Sequence, residues 1–127
     1  MVGFLSAEWV AAAGEALQKA GVTTEGGPPL VIQQLVEHPG GIRSAYRIRI
    51  DADGVEALGG FSGEATVVYR QSYEVARGIA RGELDAHVEF LMGRVVVSGD
   101  TKALVGHRAA LERLSTALAG LREITDF

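Results

Sequence analysis

The spacing of hydrophobic and polar positions changes twice along the chain. Between about residues 7 and 20, Trp9, Ala13, Ala16, Leu17 and Ala20 recur at helical intervals. Ser6 stands where an N-cap belongs, Glu8 falls in the first turn and Gly21 marks the stop, so this segment predicts a first helix. After TTEGGPP the period drops to two. In LVIQQLVEH, Leu30, Ile32 and Val36 alternate with Gln33 and Glu37, with Leu35 breaking the pattern, which predicts a strand. HPGG turns the chain into RSAYRIRID, where Tyr46, Ile48 and Ile50 point one way and Arg47 and Arg49 the other. DADG predicts an Asp-Gly hairpin turn into a short strand, VEAL, and LGGFSG a loop before the strand EATVVYR.

From Ser72 the period lengthens to 3.6. SYEVARGIARG places Val75, Ala76, Ile79 and Ala80 on one helical face and Arg77 and Arg81 on the other, with Gly82 ending it. Asp85 caps a shorter helix, AHVEFLM, in which Val88, Leu91 and Met92 share a side. Gly93 closes it, RVVVSG reads as a strand, and Asp100 caps a last helix over about residues 101 to 119. That helix carries a stripe of Leu104, His107, Leu111, Leu114 and Leu118, opposite Lys102, Arg108, Glu112 and Arg113. The predicted order is α-β-β-β-β-α-α-β-α. Hairpin-joined strands followed by gathered helices indicate an α+β domain with a mostly antiparallel sheet covered on one face. The final segment, LAGLREITDF, with Gly120 and few packing residues, is expected to fray.

Composition narrows the classes of function. With 127 residues the chain is expected to be a single domain, 1–127, able to bury a core. A net charge of −4 offers no basic field for nucleic acid. The absence of cysteine removes disulfides, thiol nucleophiles and thiolate metal sites, and fits a reducing cytoplasm. The N-terminal MVGFLSAEWVAAAG lacks a basic n-region and carries Glu8, so it reads as a helix and not as a signal peptide. No apolar stretch approaches the roughly 18 to 20 residues of a transmembrane segment, since Arg94 interrupts FLMGRVVV.

The search for chemistry returns little. His38, His87 and His107 are never three or four apart, so no helical metal site forms. DADG lacks the later ligands of a calcium loop, with Val55 and Ser62 where oxygen donors are needed. The glycines of LGGFSG precede neither lysine nor helix, and no serine sits in a nucleophile elbow. No catalytic residue, metal or cofactor is expected. An enzyme reading would have to use His107 and Glu112 as acid and base within reach of a substrate.

One stretch stands out by its apolar content. GELDAHVEFLMGRVVVSGD, with ATVVYR and SYEVARGIARG before it, resembles the signature of the sterol carrier protein 2 family, most closely over residues 64 to 118. The resemblance implies a five-stranded mixed sheet with helices packed on one face. Between these layers it implies a hydrophobic cavity for a sterol, fatty acid, acyl-CoA or phospholipid, bound without catalysis. Carried over by position, Phe90, Leu91, Met92, Val95, Val97 and Leu104 would line it, and Leu111 and Leu114 of the last helix complete the expected site. Met92 stands where members often carry a polar residue. Val96, where the outer face is often charged, admits an edge contact with a second copy or a protein partner. The alternative is a closed interaction or accessory domain of the same fold.

Overall fold

A computed structural model describes residues Met1–Phe127. A short strand β1 (Val2–Gly3) leads into helix α1 (Ala7–Lys19), whose first turn is capped by the Ser6 hydroxyl accepting from Trp9 N. Strands β2 (Leu30–Glu37), β3 (Arg43–Ile50), β4 (Val55–Gly59) and β5 (Val67–Ser72) follow. Then come α2 (Tyr73–Ala80), α3 (Ala86–Leu91), β6 (Val95–Gly99), α4 (Lys102–Gly106), α5 (Arg108–Ala119) and a terminal strand β7 (Thr125–Asp126). The expected turn chemistry holds at two points. Asp51 Oδ1 accepts from Asp53 N and Gly54 N at the β3–β4 hairpin, and Asp85 Oδ1 accepts from His87 N and Val88 N at the start of α3.

The main sheet has the order β4-β3-β2-β5-β6, with β2 and β5 parallel and every other pairing antiparallel. Its register sorts the side chains cleanly. Leu30, Ile32, Gln34 and Val36 share the inner, helix-covered face with Tyr46, Ile48, Ile50, Val67, Tyr69, Gln71, Val95 and Val97. Arg47 and Arg49 lie on the outer face as expected; Arg49 pairs with Asp51 and Arg47 donates to Gly59 O. Helix α1 closes the β4–β3–β2 half. Trp9, Val10, Ala13 and Leu17 join Leu30, Ile32, Ile48, Ile50 and Val55 in one buried core, each large side chain contributing about 1.5–3 kcal/mol.

Three expectations need correction. The last helix is not continuous: His107, at φ −117° and ψ 29°, separates α4 from α5. Gly106 immediately before it is the weakest helix former in that run, and burial of the flanking leucines on the core outweighs the continuity of one helix. Its N-cap is Thr101, without a side-chain cap bond, and not Asp100. The C-terminal segment is also not frayed. Leu121 and Thr125 are buried, β7 pairs in parallel with β1, and Phe4 N donates to Asp126 O. Phe127 packs on Phe4, whose ring also meets Trp9 and Tyr73, and Arg122 Nε donates to Ala80 O. Gln33, finally, was expected to face solvent. It is fully buried beneath the β4–β5 loop, donating to Tyr46 O and Gly60 O and accepting from Ser62 N.

Candidate functional site

The two halves of the inner face are covered unequally. Beneath α1 most inner side chains are buried, whereas on β5 and β6 Val67 and Val95 are buried but Tyr69 and Val97 only half-buried; Leu104, Leu111, Leu114 and Leu118 of α4 and α5 are likewise half-buried while packing against the same core. Gln34 exposes this asymmetry. It occupies the central strand at an inner-face position, where a closed helical layer would bury it completely, yet it remains half-buried. Across the sheet its row reads Gly59, Tyr46, Gln34, Tyr69 and Val97. Gln71 Nε2, on the next row, donates to Gln34 Oε1 at 2.6 Å.

The strands carry no charge on this face, but helix α2, packed on β5 and β2, carries half-buried Arg77, whose Nε is buried without a hydrogen-bond partner. None of the inner-facing positions of the five strands carries a charge; Arg43, Arg47, Arg49, Glu56 and Arg70 all alternate to the other side. Burial pushes the Tyr46 and Tyr69 phenols above the ordinary tyrosine range, as a low-dielectric setting disfavours the phenolate. The strand face by itself is therefore suited to a largely apolar neighbour.

The eight expected site residues separate into two groups. Val97, Leu104, Leu111 and Leu114 are half-buried and each packs against the core, and Val95 is buried on the row next to Val97. Phe90, Leu91 and Met92 face solvent, at 47%, 69% and 60% exposure, on or directly after the short helix α3, whose only buried residue is Glu89. Glu89 forms a two-pronged pair with Arg94, which holds its carboxyl below the usual glutamate range. Two open grooves lie away from these residues. One of about 410 Å³ is lined by Ala20 and, on α5, Ala109, Glu112, Arg113, Thr116 and Ala117; its mixed polarity and openness suit an apolar ligand poorly. Another, of about 280 Å³, runs along Glu37, Arg70, Gln71, Ser72 and Val96.

The residues that sequence reading passed over are Gln34, Tyr46, Tyr69 and Gln71 as a set. Their one sequence signal is the polar interruption of the series Leu30, Ile32, Gln34, Val36, where an apolar residue keeps the period. No metal-competent cluster of acids and histidines is present. His107 is half-buried at the α4–α5 break, and Glu112 is exposed beside Arg108.

No protein-family model matches the chain, and no curated protein matches it in sequence. Its fold does match solved structures. A conserved hypothetical protein of Thermus thermophilus, suggested to be a sterol carrier protein, aligns over 100% of this chain and 93% of its own, with a TM-score of 0.68 and 18% identity. A crystal structure of sterol carrier protein 2 aligns over 91% and 97%, again at 0.68 and 18%. The palmitated SCP2L2 of Aedes aegypti aligns over 85% and 94%, at 0.58 and 18%. The chain thus has the sterol carrier protein 2 fold, and no helix is long and apolar enough to cross a membrane.

Proposed function

We propose that this chain binds and transfers a hydrophobic ligand, without catalysis, in the crevice between the β5–β6 half of the sheet and helices α4 and α5. The observation that carries this reading is the strand face left half-buried at Gln34, Tyr69 and Val97, together with the half-buried leucines Leu104, Leu111 and Leu114 against the same core. A stable core of this size ordinarily closes over its central strand, so apolar surface left incompletely buried there is available to a guest. Val95 and Val97 would form the floor. Phe90, Leu91 and Met92, on a helix of six residues with little of its own surface buried, would fold inward over the ligand or meet the membrane that supplies it. The shared fold of the palmitated Aedes aegypti protein supports a lipid as the class of ligand.

Apolar burial would hold such a ligand, so chain length should set affinity. Each added methylene contributes up to about 0.8 kcal/mol, close to fourfold in Kd. Titration with fluorescent fatty acids from octanoyl to octadecanoyl should give steadily tighter binding, and native mass spectrometry of freshly purified protein should find a co-purified lipid. Absent or length-independent binding would instead favour the closed-domain alternative.

A further inference from the structure

We propose that strand β6 is the seam of a homodimer, in which two copies of the chain pair β6 to β6, antiparallel about a two-fold axis at Val97, and join their sheets edge to edge. The backbone is the starting point. β6 ends the sheet, with β5 as its one strand partner. Outside that ladder, none of the N–H and C=O groups of Val95 to Ser98 bonds to the rest of the chain. A strand edge in this condition offers a row of free donors and acceptors to another strand. The opposite edge of the sheet is protected. β4 carries Glu56 and packs against α1, whose Gln18 Nε2 donates to Val55 O. β6 has no such protection: its sequence, VVVSG, holds neither charge nor proline, and Val96 on its outer face is 52% exposed.

The residues flanking the strand define what fits there. Arg94 precedes it and Asp100 follows it, each at the same distance in sequence from Val97. In an antiparallel pair centred on Val97, Arg94 of each copy therefore stands opposite Asp100 of the other, Val96 opposite Ser98, and Val97 opposite itself. Asp100 N donates to Thr66 O, which keeps that end of the strand in register. Both charged groups have capacity to spare. Arg94 engages Glu89 through Nε and Nη2, leaving Nη1 without a partner, and Asp100 is exposed and forms no ion pair within the chain. An unrelated strand would have to bring a base and an acid at this one spacing. A second copy brings them by symmetry, at both ends of the seam. Met92, 60% exposed, rests its sulfur on Arg94 Nη2, so closing the seam covers apolar surface together with backbone. Pairing along so short a strand buries far less than the roughly 800 Å² per partner of a standard interface, so the dimer is weak, with a Kd on the order of 10–100 μM.

Sedimentation equilibrium of the full chain should show monomer and dimer in exchange over about 5–500 μM. Val96→Lys and Asp100→Arg, both at exposed positions, should keep the fold by circular dichroism and raise the dissociation constant about tenfold or more, by placing a charge on the edge or a like charge opposite Arg94. Register is read by cysteine pairing, since the chain has no cysteine of its own. Opposed residues on antiparallel strands have Cα atoms about 4.5–5.5 Å apart, within disulfide reach. A mixture of the Val96→Cys and Ser98→Cys proteins under mild oxidation should therefore form a covalent hetero-pair faster than either variant links to itself, and this mixture decides alone if the charged variants do not fold. A monomer at every concentration, a dissociation constant unmoved in both folded charged variants, or Val96→Cys linking to itself faster than the mixed pair overturns the inference. It is equally overturned if the wild type stays monomeric but floats with phosphatidylcholine vesicles and Val96→Lys does not, since the edge would then meet a membrane.

Discussion

Gly99 shows how a single position can be dictated by its surroundings. It sits at φ +97°, and a Cβ built there would lie 2.5 Å from the backbone carbonyl oxygen of Thr66. Neither the left-handed backbone nor the backbone contact can relax cheaply, so Gly99→Ala should lower stability by roughly 2–4 kcal/mol in urea unfolding. Gly21, at φ +66° with open space around it, should cost less on the same substitution because only the dihedral penalty applies. Glu89 acts through charge. Its folded-state carboxyl titrates below its unfolded value because Arg94 hydrogen-bonds and attracts the carboxylate. The unfolded state therefore takes up the proton first as pH falls. The stabilisation is complete above the ordinary glutamate range and is lost as pH drops through and below it. Melts between about pH 7 and pH 3 should show a shallower acid loss in Glu89→Gln than in wild type; parallel curves would mean the pair contributes nothing.

Among the elements, the C-terminal segment and α3 reverse the roles that their composition suggests. The last residues look dispensable, yet they supply buried Leu121 and Thr125, the β7 pairing with β1, and Phe127 against Phe4. Deleting residues 121 to 127 should therefore cost roughly 3–5 kcal/mol and lower the melting temperature markedly, where a frayed tail would leave it unchanged. Helix α3 looks like core, with Phe90, Leu91 and Met92 in succession, yet its apolar side chains project outward. Six residues form little more than one turn and a half, so α3 is held by its Asp85 cap and the Glu89–Arg94 pair and not by its greasy face.

At the scale of the whole molecule, the sheet and helices form one core with one side less completely closed. Leu111 tests that description, since it packs from α5 against the core while remaining half-buried. Leu111→Trp should keep the fold and abolish binding of a long-chain fatty acid, because the larger ring takes the ligand's place. A loss of roughly 1–3 kcal/mol in the unliganded protein, read by thermal melts with and without fatty acid, would mean that the core has no spare volume and would favour the closed domain.

Much of the fold was legible because its signals are local. The alternation of Tyr46, Ile48 and Ile50 against Arg47 and Arg49 assigns the faces of β3, and Ser6, Ser72 and Asp85 mark helix starts by hydrogen bonds made within three residues. Order, strand identity and the α+β class follow from such patterns. Of the expected site residues, Val97, Leu104, Leu111 and Leu114 pack half-buried against the core, and their spacing marks an inward face without saying what meets it. The gathering of Gln34, Tyr46, Tyr69 and Gln71, the burial of Gln33 beneath residues 60 to 62, and the joining of both termini are products of tertiary structure. Each depends on segments separated by 12 to more than 120 positions in the chain, and a two- or 3.6-residue period carries no record of which distant strand lies alongside or in what register.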